Sequence, residues 1–136
     1  MRNESIVSVD HNNFGPLTAS DVPVLLEFSA VWCAPCRAIK PHLEALAAQH
    51  AGRIQIGKVD VDDDPALAAR FEVRSLPTLL MFRHGQVVGQ LVGAVPRARI
   101  ADLVERALQP VEAAPKPAAT FAESAGTTRP AAATST

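Results

Sequence analysis

Aromatic residues are scarce in this sequence of 136 residues, which has five Phe, one Trp and no Tyr. Single-stranded nucleic acids bind largely by stacking their bases on aromatic side chains, so this kind of binding is not expected. An excess of charge of one sign is also missing, because 13 Lys and Arg stand against 14 Asp and Glu. Since there is no basic run either, the sequence lacks the electrostatic footprint of a nucleic-acid-binding protein.

Long hydrophobic runs are missing as well. No stretch of about 18 or more apolar residues is present, which excludes a membrane-spanning helix. Residues 1–15 contain neither the apolar segment nor the small-residue cleavage site of an export signal. We therefore expect a soluble, cytoplasmic protein with no membrane partner. A monomer is expected as well.

Cysteine is also rare, and the chain has only Cys33 and Cys36. Small secreted proteins that are held together by disulfides usually carry four or more cysteines along the chain. A disulfide that closes so short a loop stabilises a fold by only about 2 kcal/mol, against about 3 for a 15-residue loop. A zinc site would need two further ligands, and no second Cys pair exists. Redox chemistry therefore explains the pair better than a structural disulfide or half of a zinc site.

The composition changes near residue 109. Residues 109–136 include nine Ala, four Pro and seven Ser or Thr, and only Val111 and Phe121 are large and apolar. Such a segment buries too little apolar surface to offset the entropy that it would lose on ordering. We therefore predict one domain over residues 1–108 and a disordered Ala/Pro/Thr-rich tail over residues 109–136.

Hydrophobic periodicity and turn residues predict elements in the order β-α-β-α-β-α-β-β-α. Residues 22–30 are apolar on both faces, as is typical of a central strand. The Asp-rich run before Pro65 is typical of a helix start, and Pro41 is expected to kink its helix. The predicted strands cover residues 6–9, 22–30, 53–61, 77–82 and 86–92, and the predicted helices cover residues 16–20, 33–49, 66–71 and 96–108.

This order of elements predicts an α/β fold. Strands that alternate with helices favour parallel pairing, and His84-Gly85 between two strands favours an antiparallel hairpin. We expect a central mixed sheet that is mainly parallel, with a C-terminal antiparallel hairpin and with helices on both of its faces.

The two cysteines lie in Cys33-Ala34-Pro35-Cys36, where a predicted strand ends and a predicted helix begins. The free N–H groups and the positive end of a helix stabilise a thiolate more than a thiol. Cys33, at the mouth of the helix, is therefore expected to ionise readily and to act as the nucleophile. Cys36, one turn further, is placed to attack a mixed disulfide that forms on Cys33.

The segment Phe28 to Cys36, which ends in Trp-Cys-Ala-Pro-Cys, resembles the active-site segment of the thioredoxin family. The resemblance continues through Pro41, Lys58-Val59-Asp60, Leu76-Pro77-Thr78 and Val92-Gly93, and covers roughly residues 5–108. It implies the thioredoxin fold, with the Cys pair at a strand–helix junction and a cis peptide before Pro77. In the family, the loop with this proline faces the cysteines and pairs with the backbone of the substrate.

Glu27 interrupts the apolar strand six residues before Cys33, where the family usually has Asp. A buried carboxylate must find a partner or have a raised pKa. The resemblance implies that Glu27 is the proton acceptor for Cys36 and that Lys58 is its pKa partner. The alternatives are a Glu27 that faces solvent from an edge strand and a Lys58 that is exposed at a strand end.

The resemblance also implies a flat, apolar docking surface for extended substrate chains. Ala34 replaces the Gly that is usual between the cysteines, and Gly93 permits close approach of a substrate. For Val61, Leu76 and Val92, ordinary core packing is an equal alternative. Besides Pro77, the residues that match this surface are Trp32, Pro35, Val61, Leu76, Val92 and Gly93.

The expected activity is that of a protein-disulfide reductase, a thiol-disulfide oxidoreductase whose Cys33/Cys36 dithiol is oxidised through a mixed-disulfide intermediate. The resemblance implies diverse disulfide-containing proteins as substrates and a role in electron transport and cell redox homeostasis. It also implies electrons from NADPH through thioredoxin reductase, with no cofactor or metal bound to the chain. The alternatives are a protein-disulfide oxidase or isomerase, and a redox-independent binding or assembly subunit.

Overall fold

The computed structural model describes residues 6–109 of the chain. Residues 1–5 and 110–136 lie outside the described residues, and so does all of the expected tail except Gln109. Within residues 6–109, five strands and four helices follow one another in the predicted order. They are β1 (Ile6–Ser8), α1 (Phe14–Thr18), β2 (Val24–Ser29), α2 (Ala34–Gln49), β3 (Gln55–Asp60), α3 (Pro65–Arg70), β4 (Thr78–Arg83), β5 (Gln86–Val92) and α4 (Arg97–Ala107).

The bounds of the helices follow from local contacts. Helix α1 begins two residues before its predicted start, where the Leu17 N–H donates to the Asn13 carbonyl at 3.1 Å and the Phe14 side chain is buried. Helix α2 continues to Gln49 with Pro41 inside it. Among the helices of residues 6–109, none is both long and apolar enough to cross a membrane.

The five strands form one mixed sheet in the order β1-β3-β2-β4-β5. Strand β3 pairs in parallel with β1 and with β2, and β4 pairs antiparallel with β5, as the predicted hairpin requires. Strand β4 also pairs antiparallel with β2, so two strand pairs are parallel and two are antiparallel, and the sheet is mixed but not mainly parallel as expected. This arrangement confirms the predicted α/β class and makes β2 the central strand.

The two faces of the sheet are covered by different helices. Successive side chains of a strand point to opposite faces. Leu25 of β2 packs in one core cluster with Ile39 of α2, whereas Phe28 packs in another with Phe14 of α1 and Leu67 of α3. The prediction of helices on both faces is therefore confirmed. Glu27, two residues after Leu25, lies on the face that α2 covers.

Candidate active site

The two cysteines lie at the junction between β2 and α2. A disulfide joins Cys33 and Cys36, whose Cα atoms are 5.3 Å apart. Both residues are buried, and they pack with Ala30 against the half-buried Val61 and Leu76. The structure therefore contains the oxidised form of the dithiol pair.

Cys33 is the N-terminal cap of α2. Its Sγ atom accepts a hydrogen bond from the N–H of Cys36 at 3.2 Å, at the end of the helix where N–H groups have no carbonyl partner. Pro35 lies in the first turn, where the N–H that it lacks would have no partner within the helix. After reduction, the same N–H and the positive end of the helix favour negative charge on the Cys33 sulfur. The start of α2 thus gives this hydrogen bond to the sulfur of Cys33 and not to that of Cys36.

The loop before β4 lies beside the cysteine pair. The peptide bond between Leu76 and Pro77 is cis, and Leu76 packs against the cluster that contains both cysteines. The N–H of Gly93 donates to the carbonyl of Pro77 at 2.8 Å, which ties the end of β5 to this loop. Gly93 has a φ of +92°, which residues with a side chain rarely adopt. This link between β5 and the proline loop therefore favours glycine at position 93.

The side chains predicted to contact substrates differ in exposure. Trp32 is 67% exposed and Val92 is 49% exposed, and Pro35 is exposed as well. Core packing therefore does not describe Val92, whereas Val61 and Leu76 are half-buried against the cysteine cluster. The role of this surface in binding stays a prediction.

Glu27 lies on the central strand, and only 4% of its surface is exposed. The alternative of a solvent-facing Glu27 on an edge strand is therefore wrong. Its Oε2 atom has no hydrogen-bond partner among residues 6–109. Burial raises the pKa of Glu27 from 4.5 to about 7, and the positive charges of Lys58 and Lys40 oppose this rise.

Lys58 is the direct neighbour of Glu27 in the parallel pairing of β2 with β3. The Lys58 side chain is exposed, and it lowers the pKa of Glu27 through its charge rather than through a hydrogen bond. A cavity of about 400 Å³ reaches both residues and also Cys36. The carboxyl group and the inner cysteine thus share one cavity. Its charged lining residues are Glu27, Arg37, Lys40, Glu44 and Lys58.

Sequence reasoning missed Lys40, which also lines this cavity. Lys40 follows Cys36 by four residues on α2, and side chains with this spacing lie on one face of a helix. The spacing was therefore a usable signal, but the position of Glu27 under this face of α2 was not readable from the sequence.

Sequence reasoning also missed a contact of Trp32. The Nε1–H group of Trp32 donates to Asp62 Oδ2 at 2.8 Å.

In the Asp-rich run before α3, Asp64 alone caps the helix, with its side chain accepting from the Leu67 N–H at 3.1 Å. Within the described part of the chain, no group of three or more His, Cys, Asp or Glu side chains could hold a metal ion.

The chain matches a family model over most of its length. The model is described as Thioredoxin, and the match covers residues 5–106. It thus includes the cysteine pair, Glu27 and the Pro77 loop, and it ends before the expected tail.

Curated proteins of similar sequence carry the same name. A protein named Thioredoxin from Haemophilus influenzae is 48% identical over 87 residues, which are 64% of this chain and 81% of that protein. Thioredoxin 1 from a Nostoc species is 44% identical over 89 residues, which are 65% of this chain and 83% of that protein. Thioredoxin C-2 from Corynebacterium nephridii is 43% identical over 103 residues, which are 75% of this chain and 95% of that protein.

The pKa of Glu27 predicts how stability changes with pH. Between pH 4.5 and about 7 the folded protein binds more protons at this carboxyl than the unfolded chain does, so stability falls as the pH rises. Glu27→Gln removes this dependence. Between about pH 4 and pH 8 the oxidised parent should therefore lose about 3 kcal/mol of its free energy of unfolding that the oxidised variant does not lose. Urea unfolding under non-reducing conditions measures this difference.

Glu44→Gln is the matched control, because it makes the same substitution at another glutamate of the cavity, one that is less buried. Its difference from the parent should vary less with pH. A Glu27→Gln difference that stays constant over the same pH range would contradict the raised pKa of Glu27.

Proposed function

The chain belongs to the thioredoxin family, and we propose the following roles for its residues in thiol-disulfide exchange. Members of this family are thiol-disulfide oxidoreductases, and this chain is a protein-disulfide reductase with a redox-active disulfide. One observation carries the assignment of roles: Cys33, and not Cys36, accepts the N–H hydrogen bond at the start of α2. Family membership favours this reductase function over an oxidase, an isomerase or a redox-independent assembly subunit.

The proposed reaction begins with the reduced chain. The Cys33 thiolate attacks one sulfur of a substrate disulfide, and the other substrate sulfur leaves as a thiolate that takes a proton from solvent. Cys36 then loses its proton, and its thiolate attacks the Cys33 sulfur of the mixed disulfide. The Cys33–Cys36 bond forms while the second substrate thiolate leaves. Two electrons have passed to the substrate, and the chain is left in the oxidised form.

Glu27 is the proposed acceptor of the Cys36 proton. The carboxylate and Cys36 line one cavity, and the raised pKa of Glu27, about 7, lies close to neutral pH. A general base works best when its pKa is near the operating pH, because it is then both ionised and basic enough to accept a proton. Lys58 supports this role by keeping part of the Glu27 population ionised.

The surface around the disulfide is the proposed docking site for the substrate chain. Trp32, Pro35 and Val92 are exposed, and Val61 and Leu76 contact the cysteine cluster. Pro77 and Gly93 are joined by their backbone hydrogen bond, and family resemblance assigns pairing with the substrate backbone to the proline loop. We expect diverse extended segments with disulfides to bind here, because the exposed groups are apolar and carry no charge.

The electrons for each turnover must come from a second protein. Each turnover leaves the Cys33–Cys36 disulfide, so a reductase must return two electrons before the next one. Thioredoxin reductase, which takes its electrons from NADPH, is the proposed partner, and the cytoplasm is the proposed compartment because thiols are kept reduced there. A measured reduction potential of about −270 mV, the value of thioredoxin, would support this role, whereas a potential of about −120 mV would support an oxidase.

We also propose that residues 1–108 form the complete reductase domain and that residues 109–136 are a tail outside the site. The family match, which ends at residue 106, supports this division. The end of α4 is tied to the sheet, because Arg83 Nη1 donates to the carbonyls of Ala107 at 2.6 Å and Gln109 at 2.9 Å.

Replacement of Cys36 tests the order of attack. Cys36→Ser should accumulate a covalent adduct with insulin, because no thiol remains to resolve the mixed disulfide. Cys33→Ser is the matched control and should form about tenfold less adduct, because Cys36 lacks the hydrogen bond that stabilises a Cys33 thiolate. Non-reducing mass spectrometry measures both adducts. Equal yields from the two variants would show that the helix start does not select the nucleophile.

Replacement of Glu27 tests the proton acceptor. Dithiobis-nitrobenzoate releases one coloured thiolate on attack by Cys33 and a second on resolution by Cys36, and the second step does not depend on reagent concentration. In Glu27→Gln the rate of the second release between about pH 6 and 8 should fall by about 10²-fold, the lower range for a lost general base. Glu44→Gln should change it far less, because Glu44 takes no part in the proposed proton transfer. An unchanged second release in Glu27→Gln would rule out the proposed base.

Truncation tests the domain boundary. A chain that ends at Gln109 keeps the Ala107 carbonyl and offers Arg83 the terminal carboxylate of Gln109 as its second acceptor, and it should reduce insulin at the rate of the full chain. A chain that ends at Arg106 loses both acceptors and the buried Ala107, and it should be less stable in urea by about 1–3 kcal/mol. Loss of activity in the chain that ends at Gln109 would instead give the tail a part in the reaction.

A further inference from the structure

The cavity beside Glu27 has positively charged side chains on two sides. Lys58 extends from β3, the strand next to Glu27, and Lys40 extends from α2, the helix that covers this face of the sheet. Both side chains are exposed, and neither forms a hydrogen bond or ion pair with another residue of the described range 6–109. Two ammonium groups that no hydrogen bond or ion pair engages among these residues therefore line the cavity of one buried carboxylate.

The other described residues around Glu27 add no further unengaged positive charge to the cavity. On α2, Arg37 is engaged elsewhere, since its Nη1 atom donates to the Val31 carbonyl at 2.7 Å. Glu44, one turn after Lys40, is the other carboxylate of the lining. From β1 the cavity receives only the apolar Ile6, and the partner of Glu27 on β4 is the apolar Leu79.

Lys40 has a second relation to the chemistry, through Cys36. The two residues are four apart on α2, and both line the cavity. Before proton transfer the negative charge is on Glu27, and after it the charge is on the Cys36 sulfur. A cation that lines the same cavity as both groups attracts the charge at either stage, so its effect persists through the transfer.

We propose that Lys40 is a positioning residue of the resolving step, which together with Lys58 keeps the buried Glu27 ionised at neutral pH so that it can accept the Cys36 proton. This inference rests on the proposed role of Glu27 as the proton acceptor. It adds a residue of α2 to a charge arrangement that was predicted from Lys58 alone.

The first measurement is the titration of Glu27 itself. In the oxidised full chain, the carboxyl ¹³C resonance of Glu27 reports its protonation. In Lys40→Gln its midpoint should move up by about half a pH unit, which is less than the 1–3 units of a close ion pair because Lys40 is exposed. Lys58→Gln should move it in the same direction, and the double variant should move it further. Lys40→Arg, which keeps the charge, should restore the parent midpoint.

The second measurement is the pH profile of resolution. The concentration-independent release from dithiobis-nitrobenzoate should reach half its maximal rate at a higher pH in Lys40→Gln, by the same shift as the carboxyl resonance. Arg99→Gln, which removes an exposed positive charge from α4, should leave both the profile and the resonance unchanged. Unlike the two lysines, Arg99 does not line the cavity.

Each outcome decides one of the two proposals. If Lys40→Gln leaves the midpoint unchanged, or slows resolution equally at every pH, Lys40 has no role in positioning the charge and the inference is overturned. If Glu27→Gln leaves the pH profile of the parent intact, the proposed base itself fails. An upward shift in Lys40→Gln that Lys40→Arg reverses, together with a changed profile in Glu27→Gln, supports both proposals.

Discussion

The burial of one carboxyl group on the central strand is the constraint on which the candidate site depends. Glu27 occupies the middle of β2, where the pleat directs it to the face that α2 covers and where its Oε2 atom has no hydrogen-bond partner among residues 6–109. In such surroundings the neutral acid is favoured, which accounts for the pKa of about 7. The group stays ionisable because a cavity opens beside it and because lysines line that cavity.

The order of the elements could be predicted from the sequence, whereas the order of the strands could not. Periodicity marks where a strand or helix lies, as for the apolar run that became β2. It does not say that β1 pairs with β3 rather than with β2, or that β4 pairs antiparallel with β2. These pairings are set by how the helices pack across both faces, which depends on contacts between residues that are distant in sequence.

The same distinction between local and long-range features applies to the site residues. The roles of Cys33 and Cys36 could be predicted from residues close in sequence, because a helix start and a short spacing are local features. The resemblance supplied Pro77, Glu27 and Lys58. Lys40 and the hydrogen bond of Trp32 to Asp62 were missed, because each joins segments that only the folded sheet brings together. Long-range electrostatics around a buried group therefore needed the structure.

The start of α2 stabilises the thiolates of the two cysteines to different extents. The free N–H groups of the first turn of α2 point out of the helix start, so the Cys33 sulfur can accept the N–H of Cys36. Cys36 lies inside that turn, and its own N–H points back to Cys33 rather than to its own sulfur. The helix that stabilises the first thiolate therefore offers less to the second. In the proposed reaction Cys36 therefore transfers its proton to another group, and Glu27, which lines the same cavity, is the most deeply buried acid there.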